Sequence, residues 1–360
     1  MNPKNILEFC LSPDLGGLEL FVLSCYKNFR ENSDCKIMIA KDKKLDKHLG
    51  DMEKFYLKRN KLFPLFPAFK LAKFIDKHEI DIVHFHWTKD IITVVLAKIL
   101  SKRKPKIVQT RNMSMTRFKD DIYHRWLYKN INTIHAVTYQ VKEQLKKFIP
   151  TEIRPTIEVV YMGTKESEID TQRVEELKKH YNLEGSFVVG IVGRIEEAKG
   201  QYLIIEAVSK LKEMDIKALI VGDSMDKSYI DELKTKIEDL DIEDRVIFSG
   251  FTKEVDTYMQ LFDVNILATP KETFGLVVIE AMINRVCMIA TNKAGPLEII
   301  DNGQNGLLFD RTSYDLASKI SLLYNDKALK EKLALEGYKK AKEMFDLDIQ
   351  LNKLLGVIEK

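Results

Sequence analysis

Glu272 and Glu280, with seven residues between them in Pro270-Lys-Glu-Thr-Phe-Gly-Leu-Val-Val-Ile-Glu280-Ala-Met, are the side chains of this chain best placed to do chemistry. The stretch follows an apolar run that reads as a strand, Val264-Asn-Ile-Leu-Ala268, turns at Thr269-Pro270 and becomes a helix starting near Gly275. Glu272 then sits on the loop at a helix N-terminus, and Glu280 lies about a turn and a half inside the helix. The N–H groups of Phe274, Gly275 and Leu276 fall between them, and unpaired donors at a helix start bind phosphate readily. Carboxylates on either side of an anion site suit a ligand with phosphate in the middle and hydroxyl-bearing sugars at both ends. A nucleotide-sugar has that shape.

Such a site needs a scaffold, and the apolar pattern supplies one. Strand-like runs alternate with helical patterns, as in doubly wound α/β folds. The first series is 5–11, 35–40, 81–86, 106–110 and 133–138. A second begins after Tyr161-Met-Gly-Thr-Lys, at 187–193, 217–222, 245–249, 264–268 and 286–290. The boundary between domains falls in the polar stretch 164–185, and the tail from about Thr312 reads as helical throughout. Ligands of parallel sheets bind beyond the carboxyl ends of the strands, and every candidate motif lies at such an end. Gly16 and Gly17 follow the first strand, where a backbone without Cβ can approach a ligand closely or simply turn into a helix. His84 and His86 alternate along one strand and so point to one face, as ligand contacts or as satisfied core histidines. Gln109-Thr-Arg111-Asn-Met-Ser-Met-Thr-Arg117-Phe-Lys119 mixes cations with flexible apolar residues; it reads either a phosphorylated or acidic acceptor or nothing but solvent.

A length of 360 residues suggests two domains, and the 45% apolar fraction is that of a globular protein. Cys10, Cys25, Cys35 and Cys287 have no metal-ligand spacing and suggest no disulfide framework, which fits a reducing compartment. The first strand begins almost at once, so no signal peptide is expected, and the apolar stretch Ile91 to Leu100 is too short for a membrane span. The expectation is a cytoplasmic protein, soluble or peripheral on the inner face of a membrane. Charge is uneven. Up to Lys165 there are 31 Lys+Arg against 18 Asp+Glu, a net +13; beyond it there are 26 against 36, a net −10. Either the basic half meets an anionic acceptor or an acidic membrane, or the two halves attract each other. No nucleic-acid module is legible, so no nucleic-acid partner is expected. Within the basic half, Lys58, Arg59 and Lys61 precede a cluster of Leu62, Phe63, Leu65, Phe66 and Phe69. Pro64 and Pro67 should keep this segment from forming one regular helix. It reads as a membrane-docking patch or as aromatics packed beneath the domain. The Asp239/Asp241 and Asp346/Asp348 spacings lie in helix-rich contexts and read as surface charge; no metal or other cofactor is expected.

The motif around the two glutamates resembles the signature of family-4 retaining glycosyltransferases. The likeness continues through Ala290-Thr-Asn-Lys-Ala-Gly-Pro-Leu-Glu298-Ile-Ile and Asn302-Gly-Gln-Asn-Gly306-Leu-Leu-Phe. Gly190-Ile-Val-Gly193-Arg194-Ile with Lys199-Gly200 resembles the family's phosphate-binding arginine and lysine. Leu15-Gly16-Gly17-Leu-Glu19 resembles its N-terminal glycine loop, and Asp81-Ile-Val-His84-Phe-His86 its strand-end histidines. The second half matches closely and the first half in short islands.

The resemblance implies an α/β chain of GT-B fold, two Rossmann-like doubly wound domains facing across a cleft. An acceptor-side domain would span 1–165, a donor domain 166–342, and a closing helix at about 343–360 would return to the first. Arg194 and Lys199 would offset charge on the departing nucleotide diphosphate, the guanidinium forking onto its oxygens. Glu280 would hold the ribose hydroxyls, and Glu272 would face the transferred sugar. Gly16, Gly17 and Gly193 would line the donor, with Phe251 beside the nucleobase. His86 would join the catalytic set, while His84, Arg111 and Arg117 would serve the acceptor. The implied activity is retaining, metal-independent transfer from a UDP-linked sugar to a cell-surface glycan or glycolipid, such as lipopolysaccharide or capsule. A nucleotide-sugar 2-epimerase shares the fold but suits the Phe-Gly-Leu context poorly. A glycogen-type synthase would carry a lysine before the glycines, where Leu15 stands. A non-catalytic nucleotide-sugar-binding partner of another transferase has little reason to keep Arg194, Lys199, Glu272 and Glu280 together.

Overall fold

A computed structural model describes residues 4–60, 63–224 and 226–360. The chain divides into two compact units, Met1–Met162 with Leu347–Lys360 and Gly163–Asp346. In the first unit the strands are β1 (Asn5–Cys10), β2 (Asp34–Ile39), β3 (Phe55–Tyr56), β4 (Ile82–Phe85), β5 (Lys106–Arg111), β6 (Thr133–Ala136) and β7 (Thr156–Val159). Its helices are α1 (Gly17–Asn32), α2 (Lys44–Leu49), α3 (Leu65–Lys77), α4 (Ile91–Leu100), α5 (Ile122–Lys129) and α6 (Tyr139–Phe148), with the last helix of the chain, α15 (Leu347–Glu359). The second unit carries β8 (Phe187–Val192), β9 (Ile216–Val221), β10 (Val246–Gly250), β11 (Val264–Leu267), β12 (Cys287–Thr291) and β13 (Leu307–Phe309). Around them lie α7 (Thr171–His180), α8 (Gln201–Ser209), α9 (Lys227–Asp239), α10 (Val255–Met259), α11 (Leu276–Ile283), α12 (Pro296–Ile299), α13 (Ser313–Asn325) and α14 (Lys327–Met344).

Both sheets are parallel, and their strand orders are β3-β2-β1-β4-β5-β6-β7 and β10-β9-β8-β11-β12-β13. A parallel sheet covered on both faces needs nearly continuous apolar strands, which is what Phe187-Val-Val-Gly-Ile-Val192 and Cys287-Met-Ile-Ala-Thr291 provide. In each unit the order reverses between two neighbouring strands, β1 and β4 in one and β8 and β11 in the other. Their onward connections leave in opposite directions, opening a crevice at the carboxyl ends where ligands of such sheets bind.

All ten strand-like runs become strands, with ends shifted by no more than two residues. Three further strands are short: β3 has two residues, β7 four and β13 three, too few to show a period. The helical tail is broken into α13, α14 and α15 at Asp326 and at Phe345–Asp346. The expected effect of the two prolines is corrected. Pro64 occupies the N-cap of α3 and Pro67 lies in its first turn, where no intrahelical N–H bond is lost, so Leu65–Lys77 is one helix. Lys61 and Leu62 lie outside the described residues. No described helix is long and apolar enough to cross a membrane.

Close packing between β8 and the segment before β11 requires a glycine. A Cβ on Gly190 would come within 2.3 Å of the Phe262 ring, which is itself buried at 7% exposure. Gly190→Ala should therefore destabilise the protein by about 1–3 kcal/mol, as overpacking of a filled core does. A urea midpoint unchanged from wild type would refute this.

Candidate functional site

The second unit brings the sequence-selected residues of its half to the ends of β8 and β11. Gly193 follows β8 with φ +149, a conformation other residues rarely adopt. A Cβ on Gly222, at the end of β9, would meet the Gly193 carbonyl oxygen at 1.9 Å, so the two loops touch backbone to backbone. Arg194 then projects outward, 68% of its side chain exposed, with Nη2 3.3 Å from Glu196 Oε1. An exposed pair of this kind holds its partners weakly and leaves the guanidinium available. Behind it the buried Gln201 donates from Nε2 to the Arg194 carbonyl at 2.9 Å, which fixes the loop.

Lys199 Nζ lies 3.4 Å from Glu272 Oε2, both side chains about a quarter exposed. Gly200, in the left-handed region at φ +78, starts α8; its Cβ would sit 2.8 Å from that of Ala268 at the end of β11. Lys199 and Glu272 thus meet because the two loops pack without side chains between them. Gly275 caps α11 at φ +101, and geometry leaves the N–H groups of Leu276 and Val277 without intrahelical partners. Phe274 is buried against Phe345, ring centroids 5.9 Å apart, so its side chain belongs to the core. A Cβ on Gly295 would stand 2.5 Å from the Phe274 carbonyl oxygen, and the Gly295 N–H donates to the Glu272 carbonyl at 2.9 Å. The Ala-Gly-Pro-Leu segment is therefore the wall that holds the glutamate loop.

Glu280 is half-buried on α11. Loss of hydration pushes its carboxyl up to about 7, and the nearby Asp256 carboxylate adds to the shift. Phe251 is 72% exposed, which removes core packing as its role. Two open hollows of this unit, one bounded by Gln260, Phe262 and Arg285 and another by Glu206 and Lys236, contain none of these residues. Within the unit the site is an exposed ledge at the strand ends.

In the first unit, Gly16 and Gly17 are exposed and open α1, where the Gly16 N–H donates to Glu19 Oε2 at 2.9 Å, the one half of a capping box that a glycine allows. His84 and His86 are both inside, at 0% and 1% exposure. His84 Nδ1 is 2.7 Å from Glu8 Oε1, and His86 Nε2 is 2.6 Å from Glu8 Oε2. His84 is thus a satisfied core histidine with no face to solvent, while His86 Nδ1 is buried without a partner. Arg111 spends its donors on the carbonyls of Met113 and Ser114 and the Thr88 hydroxyl, at 2.8, 3.0 and 2.9 Å. It shapes the loop that follows β5. Arg117 on that loop is exposed. Sequence reasoning overlooked Glu8, Thr110 and His135, which join the histidines in one network. The available signal was a lone glutamate inside the apolar run Ile6-Leu-Glu-Phe-Cys10.

Two parallel doubly wound sheets, each with residues selected from the sequence at its switch point, define a GT-B chain. The family description "Glycosyl transferases group 1" matches residues 173–340, and "Glycosyl transferase 4-like" matches 8–138. The chain belongs to the family-4-like GT-B glycosyltransferases. It is 28% identical over 249 residues to N-acetyl-alpha-D-glucosaminyl L-malate synthase of Bacillus anthracis, a match spanning 67% of this chain and 64% of that one. It is 26% identical over 268 residues to the capsular polysaccharide biosynthesis glycosyltransferase CapM of Staphylococcus aureus, 71% of this chain and 70% of that one. Its fold matches the structure of Anabaena Alr3699/HepE in complex with UDP and glucose, with TM-score 0.85 and 21% identity over 99% of this chain and 100% of that one.

The raised Glu280 carboxyl has a consequence for stability. In the unfolded chain it ionises near its ordinary value of 4.5, and in the folded protein only near 7. Its contribution is complete below 4.5 and is lost as pH rises through 7, because the folded state binds more protons in between. Stability should therefore fall more steeply between pH 5 and 8 in wild type than in Glu280→Gln. Equal slopes in denaturant titrations across that range would contradict the burial of this carboxyl.

Proposed function

We propose that this protein is a retaining, metal-independent glycosyltransferase that moves a sugar from a UDP-linked donor to a glycan or glycolipid acceptor of the cell surface. The observation that carries this reading is the convergence of Arg194, Lys199, Glu272, Gly275 and Glu280 at the ends of β8 and β11, the neighbouring strands of the switch point. Arg194 and Lys199 put two positive charges, and α11 its free N–H groups, where a diphosphate would lie. Glu280 accepts hydrogen bonds from ribose hydroxyls. Glu272, beside Lys199, accepts from the transferred sugar and stabilises positive charge at its anomeric carbon.

In the transfer the bond from the anomeric carbon to the diphosphate oxygen breaks, and its electron pair leaves with the nucleotide diphosphate. The acceptor hydroxyl attacks from the same side, forming the new glycosidic bond and keeping the configuration. Its proton passes to the departing phosphate oxygen. Arg194 and Lys199 are strongest partners for the charge that grows on the leaving group, the role a preorganised electrostatic donor plays. Two side-chain cations and a helix start are sufficient for that role without a divalent ion. The UDP assignment draws support from the Anabaena neighbour's complex, and the acceptor class from the capsular relative.

Arg194→Ala and Lys199→Ala should each lower turnover on the order of a hundredfold with folding preserved. Glu280→Gln should weaken UDP binding, whereas Glu272→Gln should leave it intact and impair transfer. Calorimetric titration of UDP and a turnover assay in EDTA check these outcomes. Wild-type turnover in a folded Arg194 or Lys199 variant would overturn the diphosphate assignment.

The first unit is proposed to dock on an acidic membrane surface through α3. This helix buries Ala68, Leu71, Ala72 and Ile75 on one side and exposes Leu65, Phe66 and Phe69 at its start, with Phe63 exposed just before it. Their exposure, 61%, 63%, 49% and 69%, speaks against packing beneath the domain. Lys70 Nζ lies 4.7 Å above the Phe66 ring and Lys73 Nζ 4.6 Å above that of Phe69, so two of the three aromatics carry a cation beside them. Such residues insert shallowly while nearby cations each gain about 1 kcal/mol from anionic lipid. Sedimentation with vesicles should rise with phosphatidylglycerol content, fall with salt, and be lost in the Lys70→Glu/Lys73→Glu double variant. No binding of the wild type to acidic vesicles at low salt would remove this docking.

A further inference from the structure

A row of polar side chains crosses the core of the first unit on one face of its sheet. It runs from Glu8 on β1 through His84 on β4 and Thr110 on β5 to His135 on β6, and His86 branches from Glu8. All five are buried to 1% exposure or less. Helix α1 covers the row with Phe21, Cys25 and Phe29, spaced four apart on one helix face. Phe21 lies edge-on to His86 at 5.9 Å, and Phe29 is tilted over His84 at 6.4 Å.

The direction of every hydrogen bond in the row follows from its fixed end. The Val160 carbonyl can only accept, so His135 Nε2, 2.7 Å away, carries a hydrogen. Burial pushes the His135 imidazole down to about 3, so the ring is neutral and its Nδ1 is bare. The Thr110 hydroxyl must then donate to Nδ1, at 2.9 Å, and its oxygen accepts from His84 Nε2–H at 2.6 Å. His84 Nδ1 and Glu8 Oε1 share one proton across 2.7 Å. Burial opposes the charge on Glu8, but the charge and hydrogen bonds of His84 and His86 outweigh it and hold the carboxyl at about 2. The second oxygen, Oε2, therefore accepts from His86 Nε2–H at 2.6 Å. Burial, reinforced by the charge of His84, pushes His86 down to about 4, so its other nitrogen is bare as well. The chain of bonds ends there, on a buried acceptor with no donor.

We propose that Glu8 is a positioning residue: anchored by His84, Thr110 and His135, it locks His86 in the tautomer protonated at Nε2 and so offers the bare Nδ1 to a sugar hydroxyl of the substrate. The hydroxyl half of this inference rests on the glycosyltransferase reading above, while the tautomer lock does not. A buried polar network is favoured where its groups are satisfied, and within this row, among the described residues, His86 Nδ1 is the one atom left for a further donor to complete. The ionisable groups around the ring are Glu8 on β1, Cys25 on α1, His84 on β4 and His135 on β6. Burial pushes the Cys25 thiol far up, which keeps it protonated. Helix α15, packed on β4 and β6, buries Gln350, Leu351, Leu354 and Ile358 and no ionisable side chain. Donor atoms of Glu8, Cys25, His84 and His86 lie within 4.8 Å of one another, a set that in composition suits zinc. Both carboxylate oxygens and both His84 nitrogens are hydrogen-bonded in this arrangement, so a bound ion would have to replace those bonds.

The test is a two-bond nitrogen–proton correlation spectrum of the full chain labelled with ¹⁵N-histidine, with His86 assigned through His86→Gln. His86 should show one tautomer, protonated at Nε2, unchanged from pH 5.5 to 8. A UDP-sugar with an acceptor glycan should shift the Nδ1 resonance alone. In Glu8→Gln the amide donates to the bare His84 Nδ1 and its carbonyl still accepts from His86 Nε2–H, so the tautomer should be kept; in Glu8→Leu no acceptor faces Nε2. In the leucine variant His86 should lose its single tautomer, and kcat should fall about tenfold while the dissociation constant for UDP stays unchanged. An Nδ1–H tautomer, a tautomer mixture, titration within that range or one zinc per chain would each overturn the lock, and the wild-type spectrum decides this even if the variant fails to fold. A locked ring whose Nδ1 ignores every UDP-sugar and glycan would overturn the hydroxyl contact. Absence of transferase activity in a protein with the lock intact would count against the functional reading and not against the lock.

Discussion

Everything in this protein depends on the one-way hydrogen bonding of its two sheets. When all strands run parallel, every connection must return from the carboxyl edge to the amino edge, and helices do this on both faces. The carboxyl edge therefore collects every loop that leaves a strand. The point where the order reverses is the one place where two neighbouring loops diverge. Gly193 and Glu272 lie on such loops after β8 and β11, and Gly16 and His86 after β1 and β4. No long-range pairing of the candidate site's side chains has to be arranged separately; the crossovers arrange it.

Glycine lets the loops come close enough. In the second unit Gly200 meets Ala268, Gly222 meets Gly193 and Gly295 meets Phe274, each at a distance that excludes a Cβ. The result is that Lys199 and Glu272, 73 positions apart in sequence, face each other at 3.4 Å. The first unit solves a different problem. It sinks five polar side chains into an apolar core, where a half-satisfied arrangement would be worse than none. The row Glu8–His84–Thr110–His135 satisfies each of its members and leaves one nitrogen, on His86, to spare.

The candidate-site residues of the second unit were legible in the sequence because they sit on short motifs: a glycine after a strand, a cation after the glycine, two glutamates about a helix start. Strand positions were legible for the same reason, since continuous apolar runs bounded by polar stretches have few alternatives. Strand order was not, because nothing local in β4 says that it pairs with β1 and not with β3. The role of His84 was hidden for a similar reason. Its partners, Glu8 and Thr110, come from two other strands, and only the register Glu8↔His84↔Val108 brings them to one face. The α3 aromatics were ambiguous in sequence because exposed and buried phenylalanines look alike until the opposite side of the helix is seen to be filled by Ala68, Leu71 and Ile75.

The closing helix α15 belongs to the unit that begins the chain, and the second unit is threaded between its two parts. Ser33, at the end of α1, meets Glu359 at 3.3 Å across 326 positions, and the Lys106 ammonium donates to the Ile358 carbonyl at 2.9 Å. Synthesis runs from one end, so α1 and the first sheet emerge from the ribosome long before the helix that finishes their core. The intervening unit is continuous and can complete itself as it emerges, in the way domains generally fold as units. The first unit must wait for the last fourteen residues with the apolar face meant for Leu351, Leu354 and Ile358 still open. The sheet made before the second unit is thus completed only after it.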